Sequence, residues 1–167
     1  FHELLGFADL DPARSVREAW ARVAAQPPPL QYAVVAHAPY SVSPALFREI
    51  VRRSDTGPLT IHLGESPEEV EFLRTGSGPI RRMLETLGVW SGGWPIPDCD
   101  PVEFIARLGY LREGLLVVHG VHLGDSAVER VGPSGVLCAL GIRACAALGA
   151  GACGPGRIAS PREGGDG

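Results

Sequence analysis

Short, mainly apolar runs alternate along this chain with stretches whose apolar positions recur every three or four residues. Residues 30–36, 58–63 and 115–118 are mainly apolar, broken by Gln31, Thr60 and His62, as expected of strands covered on both faces of a parallel sheet. Val16, Ala19, Trp20 and Val23 form one face of a predicted helix over 12–25, and Leu46, Phe47, Ile50 and Val51 do the same for the next helix. Four helix starts are spelled the same way. Asp11-Pro12, Ser43-Pro44, Ser66-Pro67 and Asp100-Pro101 each put a side-chain cap before a proline suited to the first turn.

The remaining elements are weaker. Residues 1–7 read as the end of a strand and its loop, 80–87 as a short helix behind the Gly76-Ser77-Gly78-Pro79 break, and 101–108 and 125–131 as helices. A last strand is expected over 135–140. Strand and helix thus alternate in order, which predicts α/β architecture with parallel strands. Val89 to Pro95 reads as a long loop whose Trp90 and Trp94 either cover a ligand or plug the core. Beyond Cys138 periodicity fails. Residues 136–167 are rich in Gly, Ala, Arg and Pro and are expected to form a disordered, low-complexity tail, set apart from a domain over 1–135. A reading frame that shifts near Cys138 in a GC-rich gene would give that composition.

Composition narrows the classes. A chain of 167 residues with 45% apolar content can bury one core. Net charge is −4, all 15 basic residues are arginine, and they are scattered among acids, so no footprint for nucleic acid forms. No apolar run nears the ~18 residues that span a bilayer. A soluble, cytoplasmic protein is the expectation. Cys99, Cys138, Cys145 and Cys153 form no CxxC pair and read as free thiols.

The chemistry concentrates at strand ends. His37, His62 and His119 each stand at or just after the end of an apolar run, where parallel α/β folds place reactive groups. Each has polar company: Tyr40 and Ser43 after the first, Glu65 after the second, His122 after the third. An imidazole is the commonest metal ligand, and a carboxylate three residues on, as in His62-Leu63-Gly64-Glu65, can carry protons to and from a metal-bound water. His37 and Tyr40 suit hydrogen bonding to a polar substrate. Singly, each histidine has an ordinary structural explanation; their shared position is what suggests a site.

Taken in order, His37-Ala38-Pro39-Tyr40-Ser41-Val42-Ser43, His62-Leu63-Gly64-Glu65-Ser66 and Val117-Val118-His119-Gly120-Val121-His122-Leu123 resemble the amidohydrolase superfamily. The branch it most resembles holds the cytosine, guanine and S-adenosylhomocysteine/methylthioadenosine deaminases, with related chlorohydrolases and aminodeoxyfutalosine deaminases. The resemblance runs from about Phe1 to Val131 and implies a partial (β/α)8 TIM-type barrel, about strands 3/4 to 6/7, around a divalent metal, zinc or else iron. It implies His62 as metal ligand, Glu65 as proton shuttle, His119 as a contact to the attacking water, and His37, with Tyr40, as substrate contacts.

The family's His-x-His pair and its late aspartate are not among these residues, which leaves one clear ligand of the four implied. Two classes of function follow. One is a metal-dependent aminohydrolase that releases ammonia from a purine-like or other nitrogen heterocycle, a small-molecule enzyme that could form a homo-oligomer. The other is a catalytically inactive fragment, or a non-catalytic α/β binding module.

Overall fold

The computed structural model describes residues 1–27, 32–54, 57–90 and 92–131, and the backbone of one further strand at 137–139. Among the described residues these elements follow one another: β1 (His2–Leu4), α1 (Pro12–Ala24), β2 (Val34–Ala36), α2 (Pro44–Arg53), β3 (Leu59–Leu63), α3 (Pro67–Thr75), α4 (Gly78–Thr86), α5 (Pro101–Arg107), β4 (Leu115–His119), α6 (Asp125–Val131) and β5 (Leu137–Ala139). The expected alternation is present. All strand pairs are parallel, β1 with β2 and β3 with β4 and then β5. The register sets Leu63 opposite His119, so the ends of β3 and β4 lie level.

The helix starts follow the caps. Asp11, Ser43, Ser66 and Asp100 accept hydrogen bonds from the amides of Arg14, Leu46, Glu69 and Glu103, at 3.0, 3.2, 3.3 and 2.9 Å. Ser43 is thereby used as a cap, and the hydroxyl beside His37 belongs to Ser41 instead. The predicted strand over 30–36 is regular at Val34–Ala36; residues 28–31 lie outside the described part, as do 132–136 and 140–167 with the expected tail, Cys145 and Cys153. Cys99 is a buried free thiol.

Among the described residues a main core is flanked by a small second cluster of Ala19, Val23 and Val34. Leu59, Ile61 and Leu63 of β3 alternate with Thr60 and His62, so one face of the strand joins the main core with Phe47, Ile50, Phe72 and Leu73 while the other carries the site. Trp90 and Trp94 join Phe7 and Phe72 in an aromatic cluster, with Trp94 stacked on Phe72 at 4.8 Å between ring centroids. The tryptophan loop is therefore a plug. It ties the turn after β1 to α3.

β2 and β3 meet differently from the other neighbours. At their far ends His62 donates its backbone N–H to the carbonyl of His37 at 2.9 Å. Upstream, the fully buried Tyr110 inserts its hydroxyl between the strands. It accepts from the amide of Ala36 at 2.8 Å and donates to the carbonyl of Thr60 at 3.1 Å. The phenol takes the place of a ladder bond. Burial holds its proton far above the ordinary tyrosine range. Among the described residues no helix is long and apolar enough to cross a membrane.

Candidate active site

The sequence places His62 near the end of β3 and Glu65 in the turn that leads into α3. Gly64 makes that turn possible. It sits at φ +62°, and a β-carbon there would lie 2.7 Å from Leu123. Two further contacts fix the turn. The backbone N–H of His122 donates to the carbonyl of Gly64 at 2.9 Å, and the buried carboxylate of Glu69 accepts from the amides of Gly64 and Glu65 at 3.0 and 3.1 Å. Ser66 and Glu69 have the spacing of a capping box, whose glutamate ordinarily reaches back to the cap residue's own amide. Here it reaches past the cap, to the two residues before it. The backbone that carries Glu65 is held by a side chain the sequence reading treated only as helix charge.

Burial pushes Glu69 up to about 7, against the opposite pull of its two backbone hydrogen bonds and with the Glu65 carboxylate adding a smaller upward push. The folded chain thus holds this proton more tightly than the unfolded chain does. The group's contribution to stability is fully present below its ordinary value of 4.5 and is lost as pH rises through about 7. The expected loss from Glu69 alone is on the order of 3 kcal/mol. Chemical denaturation of parent and Glu69→Gln between those limits checks it: the parent's stability falls relative to the variant's, and parallel profiles would contradict the assignment.

His119 ends β4 with left-handed backbone, φ +74°, followed by Gly120 at +64°. A non-glycine residue in this region costs roughly 1–2 kcal/mol and is held there only by its surroundings. The consequence is geometric. The imidazole of His119 turns back over β3, its Nε2 2.9 Å from His62 Nδ1 and 3.6 Å from Glu65 Oε1. His37 lies on the other side of His62, with ring centroids 5.0 Å apart, and Tyr40 stands edge-on to His37 at 6.2 Å.

Hydrogen bonds orient the first histidine. Ser41 donates its hydroxyl proton to the carbonyl of Ala38, so its oxygen is left to accept from His37 Nδ1–H at 2.8 Å. Burial first, and the neighbouring His62 next, lower the His37 pKa and favour the neutral ring. Burial, then the charge of Glu65 and of Glu69, holds the Tyr40 phenol above its usual range. Four of the five predicted site residues, His62, Glu65, His119 and His37, form one contiguous line, and Tyr40 flanks it. His122 is exposed and outside that line.

A residue the sequence reading passed over completes the group. Glu3 on β1 presents Oε1 at 3.3 Å from His62 Nε2. Among the described residues two sets of donors lie close enough together to hold a metal ion: Glu3, His37 and His62, and His62, Glu65 and His119. Beside them a cavity of about 690 Å³ opens between the turn after β1 and α4. Leu5, Phe7, Met83, Leu84, Leu87 and Val89 make its wall largely apolar, and His37, Tyr40 and Ser41 form its rim toward the histidines.

Curated relatives of this segment are deaminases. An aminodeoxyfutalosine deaminase of Deinococcus radiodurans is 35% identical over 131 residues, which cover 74% of this chain and 31% of that protein. Its homologues are aminodeoxyfutalosine and methylthioadenosine deaminases, and its structural neighbours are deaminases and chlorohydrolases of the amidohydrolase superfamily. A methylthioadenosine/S-adenosylhomocysteine deaminase of Thermococcus sibiricus is 30% identical over 104 residues, covering 61% of the chain and 20% of that protein. The chain thus spans about a third or less of these deaminases' length. Among amidohydrolase structures of the same fold, the Helicobacter pylori aminofutalosine deaminase superposes with a TM-score of 0.67 at 19% identity, over 83% of this chain and 35% of that one. A Xanthomonas campestris adenosine deaminase solved with bound zinc gives a TM-score of 0.51 at 20% identity, over 81% and 28%. No family model matches the chain.

Proposed function

We propose that this segment, with residues 1–135 as part of a (β/α)8 barrel at about its strands 3/4 to 6/7, belongs to a metal-dependent deaminase. Its reaction is the hydrolytic release of ammonia from a ring carbon of a purine-like heterocycle. The carrying observation is the line of His62, His119 and Glu65 across two level strand ends, with separations of 2.9 and 3.6 Å. A carboxylate beside two imidazoles at the mouth of parallel strands is the donor chemistry that hydrolytic metal sites use, so the residues fit a divalent ion, zinc foremost. When bound, that ion lowers the pKa of water from 15.7 to roughly 7 and so supplies a nucleophile at neutral pH.

The chain's own groups do the rest. His62 would hold the ion. Glu65, exposed and fixed by its clamped turn, takes the proton from the attacking water and hands it to the departing amine. His119 orients that water, and His37 and Tyr40 bind the heterocycle from the cavity rim. The names of the relatives point to adenine nucleosides altered at the 5′ position, and the apolar cavity beside His37 suits such a substituent. Scattered arginines favour a small-molecule substrate over nucleic acid, and we place the protein in the cytoplasm.

The test is direct. Zinc-loaded protein incubated with 5′-methylthioadenosine and with 5′-deoxyadenosine is expected to release ammonia in step with conversion of the adenine ring to hypoxanthine. No ammonia from these, from guanine or from cytosine would overturn the reading.

A further inference from the structure

Glu69 is fully buried on α3, and both oxygens of its carboxylate are committed to main-chain amides, Oε1 to Gly64 and Oε2 to Glu65. The helix itself does not require this. Ser66 already caps α3 by accepting from the amide of Glu69 at 3.3 Å. Burying a carboxylate is unfavourable unless hydrogen bonds offset it, so its use lies in the segment it holds.

That segment is gripped from two sides. The carbonyls of Leu63 and Gly64 accept from the amides of Gly120 and His122 at 2.8 and 2.9 Å. Two successive peptide planes, 63–64 and 64–65, are therefore each fixed at the N–H by Glu69 and at the C=O by the turn that follows His119. A plane held at both ends cannot rotate without breaking a hydrogen bond. The side chain of Glu65 rises from the second plane, and His119 precedes the turn that grips both. The separation of these two groups, 3.6 Å between Glu65 Oε1 and His119 Nε2, is thereby set by the backbone.

We infer that Glu69 is a positioning residue for Glu65. Through two amides it orients the peptide planes that carry the Glu65 carboxylate, and so aims that carboxylate at the reacting atoms while touching neither water nor substrate itself. The inference rests on the deaminase reading, in which Glu65 carries the proton. A displacement of about 1 Å at a reacting group can cost on the order of 10²-fold in rate. Glutamine exposes the role. Glu69→Gln keeps the volume of the side chain but offers one oxygen for two amides, and its NH2 group faces the other N–H as a second donor.

Ammonia release from 5′-methylthioadenosine by the zinc-loaded 167-residue chain is measured for the parent, Glu69→Gln, Glu65→Gln and the variant carrying both changes. Glu69→Gln is expected to lower kcat about 10–100-fold and to leave KM within about twofold. In the Glu65→Gln background the same change should cost less than about twofold, because the group it acts through is already gone. A role in the fold alone would give the same loss in both backgrounds. Glu68→Gln, which alters the other acid of that helical turn, should match the parent. Far-UV circular dichroism confirms that each variant compared is folded. Amide hydrogen exchange reads the clamp without turnover, and Gly64 and Glu65 should exchange at least about tenfold faster in Glu69→Gln.

Parent-like kcat in folded Glu69→Gln, an equal loss in both backgrounds, an equal loss in Glu68→Gln, or unchanged exchange at Gly64 and Glu65 overturns the inference. With an active parent these results leave the deaminase reading standing. A parent that releases no ammonia removes that reading, and the positioning role with it.

Discussion

Replacing Glu65 by glutamine is expected to lower the turnover number for ammonia release by about 10²–10⁴-fold, the usual contribution of a positioned acid or base. The substitution keeps the shape of the side chain and leaves untouched the backbone amide that donates to Glu69. What it removes is the ability to accept a proton from water and return it to the leaving amine. Because that exchange takes place in the transition state, the loss should fall on kcat, with KM little changed. Bound zinc and circular dichroism should match the parent. Steady-state ammonia release across pH checks the prediction. Parent-like kcat would remove Glu65 from the reaction, and a loss confined to KM would make it a substrate contact only.

Tyr110→Phe is expected to destabilise the fold by about 2–5 kcal/mol, although the change deletes a single oxygen. The aromatic ring can stay where it is, edge-on to Phe47 with centroids 5.1 Å apart. The hydroxyl cannot be replaced. Without it the amide of the fully buried Ala36 and the carbonyl of Thr60 lose their partner together. An unsatisfied buried polar group costs about 1–3 kcal/mol, and two are created. Chemical denaturation followed by far-UV circular dichroism should show an earlier midpoint at unchanged slope. A shift below about 0.5 kcal/mol would mean that the strands close the gap between themselves.

What the sequence made legible was local. Caps at Asp11, Ser43, Ser66 and Asp100 announce helices because one side chain and its following proline suffice to mark the start. β3 and β4 showed as apolar runs because both faces of a parallel strand are covered. The histidines stood out because polar groups interrupt those runs at their ends. The groups that went unread act over distance. Glu3 meets His62 across 59 positions and Tyr110 meets Ala36 across 74, and neither pairing leaves a periodic trace. Ser41 and Glu69 were visible as residues but not as partners. A hydroxyl next to a Pro-Tyr turn and a glutamate in a first helical turn each have commoner uses, as a turn residue and as a helix-dipole charge.

The aromatic cluster at the cavity wall has a practical side. The chain holds three tryptophans. Trp20 lies on α1, while Trp90 and Trp94 pack on Phe7, whose ring also faces the cavity. Arg81 sits 4.8 Å above the Trp90 ring, and its cation perturbs the indole's excited state. A molecule that enters beside Phe7 displaces water from the same aromatic wall. The indole emission of the unlabelled chain is therefore expected to report cavity occupancy through Phe7, which touches both the cavity and the two tryptophans.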